Sequence, residues 1–299
     1  MSDKFREIYE KSINNPENFW KEASEDIFWF KKPTKILNKS NPPFYKWFED
    51  GVTNTCYNAL DIHIDQGNGK RTALIYDSPI TGNKDKFTYE ELRMKVSKFA
   101  GALVNQGVNK GDRVIIYMPM IPEAVIAMLA CARIGAIHSV VFGGFASNEL
   151  ASRIDDSKAK ILITASCGFE PGRTVEYKPL VDEAVKQANH KIQKMILFQR
   201  SGHEVNLKEP DEISWDEALS NAKETDCTEM NSNELAYILY TSGTTGTPKG
   251  IVRDIGGHIV ALKWTMKNIY NIDEGNIWWS ASDIGWIVGH SYIVYAPLF

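Results

Sequence analysis

The sequence has little of what marks secreted, membrane-spanning or metal-binding proteins. Its four cysteines are scattered over 299 residues without metal-ligand spacing, and its six histidines are equally dispersed. This distribution predicts free thiols in a reducing compartment and no metal site. The first residues lack the apolar core of a signal peptide, and the longest apolar stretch, 121–137, is interrupted by Glu123 and Arg133. We therefore expect a cytoplasmic protein without a membrane span.

An excess of positive charge is also missing. The chain has 34 basic and 38 acidic residues, which gives a net charge of −4. Proteins that bind nucleic acid or anionic membranes depend on basic surfaces, so we expect small-molecule partners instead. Hydrophobic residues make up 43% of the sequence, as is usual for a globular protein, and the length suits one large domain or two smaller ones.

Apolar strand patterns alternate with helical patterns through the middle of the chain. Strands are predicted at 72–76, 114–118, 136–142, 161–164 and 195–198, and helices at 122–134, 147–157 and 177–188. A further helix is predicted from Thr88 to about Gln106. Thr88 and Glu91 can form a capping box at its start. The alternation predicts an α/β fold with mostly parallel sheets and flanking helices.

Three other stretches differ in composition from this alternating region. Residues 1–62 are rich in aromatic side chains, which we interpret as an extension anchored by its aromatics to a larger domain at 63–299. The alternative is an aromatic ligand-binding box. Residues 79–86 are predicted to form a polar loop. Residues 200–233 are polar and acidic, which predicts a solvated connector at the surface.

One stretch combines the features of a phosphate-binding loop. A strand pattern at 235–239 leads into residues 240–250, with five serine and threonine hydroxyls, three glycines and Lys249, and a helical pattern follows at 259–270. Glycines let backbone N–H groups turn toward an anion, hydroxyls add donors, and lysine adds charge. Pro248 excludes the Walker A pattern, which needs Gly-Lys-Ser/Thr. Taken alone, the Gly-Thr-Thr-Gly core is equally typical of a plain loop.

As a whole, residues 240–250 resemble the signature of the acyl-adenylate-forming enzymes, which include acyl-CoA synthetases, luciferases and peptide-synthetase adenylation domains. The resemblance implies a clamp for the β- and γ-phosphates of ATP. Its members would be Thr241, Ser242, Gly243, Thr244, Thr245, Gly246 and Lys249.

Two further stretches resemble the coenzyme A-binding parts of acetyl- and propionyl-CoA synthetases. Phe142, Gly143 and Gly144 follow a predicted strand, and the resemblance implies that they lie along the pantetheine arm. A Gly-Gly turn by itself is more typical of a structural turn. The stretch 168–173 is similar to the region that holds the coenzyme A nucleotide. Arg173 suits a phosphate there, whereas Glu170, where related enzymes often carry arginine, would repel one.

The acyl pocket is implied near residue 286. Residues 278–292 resemble the segment that bears the aromatic residue beside the acyl group, and Trp286 matches that aromatic. Ile287 and Val288 match pocket positions at which acetyl-CoA synthetases commonly have valine and threonine. Valine in place of threonine makes the pocket less polar, which favours a longer acyl chain by about 0.8 kcal/mol per buried CH₂. The stretch 253–258 also resembles the propionyl-CoA synthetase branch.

The resemblance covers the whole chain and implies the N-terminal part of a propionyl- or acetyl-CoA synthetase. Such an enzyme uses ATP with Mg²⁺ and coenzyme A to convert a short-chain carboxylate into its thioester through an acyl-adenylate. Because family members continue beyond the position of Phe299, we expect a truncated AMP-binding domain at 63–299, without the small C-terminal domain, its catalytic lysine or the magnesium ligand. We expect no complete turnover by the chain alone.

The favoured function is a propionate–CoA ligase, and three alternatives stay open. The first is an acetate–CoA ligase. The second is a non-catalytic nucleotide-binding remnant. A peptide-synthetase adenylation domain ranks last, because it does not predict the aromatic extension or the segment around Trp286.

Overall fold

The computed structural model describes residues 3–241 and 248–299. Its strands are β1 (Leu37–Asn38), β2 (Lys46–Trp47), β3 (Val52–Thr53), β4 (Thr72–Asp77), β5 (Lys84–Thr88), β6 (Arg113–Tyr117), β7 (Ile137–Val140), β8 (Ile161–Ala165), β9 (Cys167–Glu170), β10 (Arg173–Glu176), β11 (Lys194–Phe198), β12 (Glu212–Ser214), β13 (Met230–Asn231), β14 (Leu235–Thr241) and β15 (Lys249–Asp254). Its α-helices are α1 (Asp3–Asn14), α2 (Pro16–Ala23), α3 (Ile62–Asp65), α4 (Tyr89–Asn105), α5 (Pro122–Ile134), α6 (Ser147–Ser157), α7 (Tyr177–Gln187), α8 (Trp215–Ser220), α9 (Ile255–Asn268) and α10 (Ile287–Gly289).

A seven-stranded sheet in the order β12-β11-β8-β6-β7-β14-β15 forms the centre of the structure. Neighbouring strands are parallel throughout, except that β15 runs antiparallel to β14. The order reverses at β6, because the chain first continues to β7 on one side and then returns to β8 on the other. The predicted α/β fold with a mostly parallel sheet is confirmed.

Apolar side chains cover both faces of this sheet. Along β6, Val114 and Ile116 belong to a core shared with α4, α5, α8 and α9, whereas Ile115 and Tyr117 belong to a core shared with α6 and α7. All four side chains are buried. The alternation follows from the two-residue period of a strand, and burial on both faces accounts for the continuous apolar runs of the central strands.

The ends of the helices follow local capping signals. Thr88 and Glu91 form the predicted capping box of α4, with 2.8 Å from Thr88 N to Glu91 Oε2 and 3.2 Å from Glu91 N to Thr88 Oγ1. Helix α5 begins at Pro122 and ends before Gly135, whose φ of +71° is the left-handed conformation that closes many helices. The helices predicted at 122–134 and 147–157 are confirmed to the residue.

Three expectations about local structure are wrong. The predicted polar loop 79–86 contains the start of β5, which pairs with β4 in an antiparallel hairpin. The predicted connector 200–233 contributes strand β12 and helix α8, whose Trp215 stacks on Phe99 with 3.7 Å between ring centroids. The predicted loop 240–250 contains the start of β15, because Lys249 and Gly250 pair with Thr241 and Tyr240 of β14. In each case a pairing partner wholly or partly outside the segment stabilises an element that the local composition does not indicate.

Aromatic side chains of the N-terminal segment pack on helix α9. The ring centroids of Phe19 and Trp20 lie 5.4 and 5.9 Å from that of Trp264. These contacts agree with an anchoring role for the aromatics, while the boundary near residue 62 stays a prediction. In the part of the chain that the structure describes, no helix has the length and apolar character needed to span a membrane.

Candidate functional site

The carboxyl ends of β6 and β8 mark the point at which the sheet order reverses, because the chain leaves β6 toward β7 and then resumes with β8 on the other side of β6. In open α/β sheets, ligands bind in the crevice at such a point. The loops after β6, β7, β8, β11 and β14 all leave from this edge, because these strands are parallel. The Gly-Gly loop (residues 142–146) and the glycine-rich loop that follows β14 therefore belong to the same edge of the sheet.

Two tyrosines shape the Gly-Gly loop. The buried hydroxyl of Tyr117, at the end of β6, donates to the carbonyl oxygen of Phe145 at 2.7 Å. Any Cβ atom at Gly143 would collide with the hydroxyl of Tyr177, and one at Gly144 would lie 2.5 Å from the ring of Phe142. The contact at Gly143 with the buried Tyr177 favours glycine, whereas a side chain at Gly144 would require the Phe142 ring to shift.

The candidate phosphate ligand Arg173 lies on the hairpin formed by β9 and β10. Arg173 and Glu170 are cross-strand partners, and the guanidinium contacts the carboxylate at 2.6 and 2.7 Å. Glu170 neutralises Arg173 in this arrangement, so a phosphate would have to displace the carboxylate. A Cβ at Gly168 would lie 3.1 Å from the hydroxyl of Tyr177, so the hairpin and the Gly-Gly loop meet at this tyrosine.

Trp286 lies beside the Gly-Gly loop. Its ring centroid is 6.0 Å from that of Phe142 and 6.2 Å from that of Phe145. A Cβ at Gly285 would lie 2.9 Å from the Cα of Phe142, so only glycine permits this close approach of the two backbones. The structure therefore brings Trp286 of the predicted acyl pocket to Phe142 of the predicted coenzyme A site, although the two are far apart in the sequence.

The three acyl-pocket candidates form a half-exposed surface. Trp286, Ile287 and Val288 are 47%, 48% and 50% exposed. The turn before them is held by Asp283, whose carboxylate accepts from the N–H of Gly285 at 2.7 Å and whose carbonyl accepts from the N–H of Trp286 at 3.0 Å. Burial raises the pKa of Asp283.

The glycine-rich stretch connects β14 and β15. Thr241 and Lys249 are cross-strand partners at the end of this pair, and both side chains are exposed. The other predicted members of the ATP clamp lie outside the described residues: Ser242, Gly243, Thr244, Thr245 and Gly246. The two described members thus flank the loop at the carboxyl end of β14.

Arg153 on helix α6 connects the two loops. Its guanidinium carbon lies 4.8 Å from the ring centroid of Phe145 and 5.2 Å from that of Tyr240. Glu149 pairs with Arg153 at 2.8 Å, and the hydroxyl of Tyr240 donates to Asp156 at 2.6 Å. Helix α6 therefore holds the Gly-Gly loop and the end of β14 in a fixed relation.

Three of the six histidines, which are dispersed in the sequence, meet in the core of the folded chain. His138 on β7, His258 on α9 and His290 after α10 form a histidine cluster with Tyr237 and Tyr295. All five side chains are buried. Burial lowers the pKa of the three histidines, to about 4 for His290, so the rings are neutral near pH 7.

Two of the cysteines also meet. The Sγ atoms of Cys56 and Cys227 and a carboxylate oxygen of Asp61 lie within 4.8 Å of one another. The guanidinium of Arg133 fills the group, with Nη1 2.7 Å from Asp61, 3.1 Å from Cys227 and 3.6 Å from Cys56. Because a cation of the protein already balances the carboxylate, we interpret the group as a buried ion pair. All four cysteines are free, as predicted.

Several residues that contact the candidate loops were not predicted from the sequence. They are Tyr117, Arg153, Tyr177, Asp283 and His290. Each of them contacts a residue distant in the chain or stabilises a local turn. Neither the composition nor the spacing of the sequence indicates such contacts. A local signal existed for one of them, because Tyr177 begins a helix directly after the stretch that resembles a coenzyme A site.

Two family models match the chain. The model described as AMP-binding enzyme matches residues 63–299, and the one described as acetyl-coenzyme A synthetase N-terminus matches residues 5–59. Among solved structures, the acetoacetyl-CoA synthetase from Streptomyces lividans is similar with a TM-score of 0.86, over 96% of this chain and 44% of that chain. The sequence identity is 24%, so this likeness supports the fold alone.

Curated relatives match nearly the whole chain. The chain is 52% identical over 295 residues to the acyl-CoA synthetase short-chain family member 3, mitochondrial, of Homo sapiens. The aligned region covers 98% of this chain and 43% of that protein. The chain is also 46% identical over 297 residues to the propionate–CoA ligase of Escherichia coli (strain K12). That alignment covers 98% of this chain and 47% of that protein. The chain therefore spans less than half the length of these relatives.

Proposed function

The chain belongs to the AMP-binding enzyme family, and from this we propose that it supplies part of the active site of a short-chain acyl-CoA synthetase. In the proposed reaction a carboxylate oxygen attacks the α-phosphorus of ATP and pyrophosphate leaves. The thiolate of coenzyme A then attacks the acyl carbon, and AMP leaves. Propionate is the favoured acid, and acetate is the alternative.

One observation carries the proposal beyond the family match. The ring of Trp286 lies 6.0 Å from that of Phe142 at the carboxyl edge of the parallel sheet. Catalysis by this mechanism requires that the acyl group and the thiol arm meet, because the second step joins them. Contact between the two candidate sites is therefore the arrangement that the proposed reaction needs.

The proposed ATP clamp would act by position and charge. Thr241 and Lys249 flank the loop at the sheet edge, and the lysine would neutralise charge that builds up on the leaving pyrophosphate. Mg²⁺ would arrive with the phosphates of ATP, where it neutralises their charge. We propose no metal ligand among these 299 residues.

The substrate is tested by ATP–pyrophosphate exchange with the full-length gene product. We expect faster exchange with propionate than with acetate at equal concentrations, because Val288 offers an apolar wall to the extra methylene group. A strong preference for acetate would reject the propionate assignment. No exchange with any short-chain carboxylate would reject the proposed function as a whole.

A single substitution examines the proposed basis of this preference. Val288→Thr restores the hydroxyl that acetyl-CoA synthetases commonly carry at the matching position. We expect the ratio of kcat/KM for propionate to that for acetate to fall by about fourfold, corresponding to about 0.8 kcal/mol for one methylene group. Ile251→Thr on the exposed face of β15 is the matched control, because Ile251 is also half-exposed (48%) but is not a pocket candidate.

A second candidate function is a nucleotide-binding protein without turnover. The observation that favours it is the exposure of large apolar side chains in the stretch that precedes the candidate pocket in the sequence, where Ile277 and Trp279 are 80% and 81% exposed. Such a surface leaves the acyl site open to water unless further protein covers it. We expect no thioester from the 299-residue chain with ATP, propionate and coenzyme A. Thioester formation by this chain alone would contradict that expectation.

A further inference from the structure

His290 joins the two ends of the segment that carries Trp286. Its backbone N–H donates to the carbonyl oxygen of Trp286 at 2.8 Å, and its ring Nδ1 lies 3.0 Å from the carbonyl oxygen of Ile284. Ile284 is 2% exposed, and His290 is fully buried. The half-exposed residues between them, 285–288, are therefore held as a closed turn by the backbone N–H and the imidazole of one buried residue.

The hydrogen bonds of His290 determine the positions of its protons. A carbonyl oxygen only accepts, so the Nδ1 of His290 carries the hydrogen and donates to Ile284. In a neutral imidazole the other nitrogen must then accept, so the Nε2 of His138, 3.0 Å away, carries the hydrogen between them. The Nδ1 of His138 has no hydrogen-bond partner in residues 3–241 and 248–299, as suits a nitrogen without a proton in an apolar setting.

The same hydrogen bonds connect the turn to the strands that lead into both candidate loops. His138 on β7 is the parallel cross-strand neighbour of Tyr237 on β14. The ring centroid of Tyr237 lies 4.2 Å from that of His290, and the hydroxyl of Tyr295 lies 3.0 Å from the Nε2 of His138. Strand β7 continues into the Gly-Gly loop, and β14 continues to Thr241. The position of His290 is therefore set by the two strands on which the site is built.

We propose that His290 is a positioning residue for the acyl pocket, because its Nδ1–H holds the carbonyl of Ile284 and thereby the place of Trp286 beside Phe142. The inference rests on the proposed function, since it assigns a role in binding the carboxylate. His290 touches no substrate in this proposal. Its effect is transmitted through the backbone at 284–286, where Gly285 already lies in close contact with the backbone of Phe142.

Two substitutions at His290 separate this role from packing. The amide nitrogen of His290→Asn can take the place of Nδ1 and donate to Ile284. The amide of His290→Gln reaches instead to the position of Nε2, so the bond to His138 is kept and the bond to Ile284 is lost. We expect a KM for the carboxylate near that of the unchanged protein in His290→Asn, and about a tenfold rise in His290→Gln from the loss of one buried hydrogen bond. The KM for ATP stays unchanged in both.

The assay is ATP–pyrophosphate exchange by the full-length gene product, with thermal unfolding of each variant measured beside it. A merely structural His290 predicts equal carboxylate KM values in the two variants, and that result overturns the inference. Inactivity of the unchanged protein with every short-chain carboxylate removes the proposed function, and the inference with it.

A second pair of variants keeps the test decisive if either His290 variant fails to fold. His138→Gln retains a donor at the Nε2 position, whereas His138→Asn withdraws it from His290. We expect a raised carboxylate KM in His138→Asn and not in His138→Gln. Equal values in this pair contradict the inference in the same way.

Discussion

At the scale of single residues, close contacts explain why particular side chains stand at the candidate site. Gly143 faces the hydroxyl of Tyr177 so closely that no Cβ fits between them. Tyr177 also contacts Gly168 in the neighbouring hairpin. The buried ring of Tyr177 therefore packs between Gly143 and Gly168, which lie in the two stretches that resemble coenzyme A-binding segments.

Gly143→Ala is expected to destabilise the protein by about 1–3 kcal/mol, because the added methyl group overpacks the contact with Tyr177. Urea unfolding followed by circular dichroism measures the loss. Removing the hydroxyl by Tyr177→Phe in the same chain should recover part of the stability, since the hydroxyl oxygen is the atom nearest to the added methyl. A double variant as unstable as Gly143→Ala would show that another contact causes the effect.

Arg133 gives a second prediction at the residue scale. Its guanidinium is buried and makes two hydrogen bonds to Asp61, at 2.7 and 3.0 Å. Asp61→Asn removes the negative partner and leaves a buried cation, so we expect a loss of about 3–5 kcal/mol in unfolding free energy. The matched control is Glu274→Gln, which breaks the exposed 2.6 Å pair with Arg71 and should cost about 0–1 kcal/mol. Similar losses in the two variants would contradict the account of the buried pair.

At the scale of elements, local signals predicted helix α4 well because its start is stabilised within four residues. Thr88 and Glu91 each satisfy a backbone N–H of the other. Thr88→Ala removes the cap and should lower the unfolding free energy by about 1 kcal/mol. Glu91→Gln keeps an acceptor at the same place and is the control, because glutamine also completes a capping box. Equal loss in both would mean that the charge, and not the cap, stabilises the helix.

Strand β15 shows why other elements were missed. Five of its six residues are exposed, and its stability comes from hydrogen bonds to β14. Strands are recognised in a sequence by the alternation of apolar and polar residues, which arises when one face of the strand is buried. An exposed edge strand has no buried face and therefore no such alternation. The pairing depends on the turn between the strands, so it could not be predicted from the composition of residues 249–254.

At the scale of the whole molecule, the histidine cluster joins β7, α9 and the segment after α10, so its charge state affects several elements at once. Burial lowers the pKa of all three histidines in the folded protein. In the unfolded chain histidine binds protons near pH 6.5. The unfolded state therefore takes up more protons as the pH falls below about 6.5, and stability decreases. For His290 the decrease continues to its folded pKa of about 4.

The contribution of one histidine can be isolated with His258→Gln, whose amide can still reach the hydroxyl of Tyr237. Between pH 7 and pH 5 we expect the unchanged protein to lose about 2 kcal/mol more unfolding free energy than this variant, from urea titrations at both values. The comparison is needed because burial raises the pKa of Glu123, Asp254 and Asp283, which act in the opposite direction. Equal losses would show that His258 is not held neutral.

The sequence by itself determined the helices and strands that have local signals, and it indicated a phosphate-binding stretch. The capping box at Thr88, the alternation of strands and helices, and the glycine-rich stretch at 240–250 act over a few residues, and side-chain type alone is enough to indicate them. The tertiary structure decided which of these come together. Only the return of the chain from β7 to β8 creates the crevice, and only the final segment places Trp286 beside Phe142. Contacts between distant residues depend on strand order and helix packing, which side-chain type at one position does not specify.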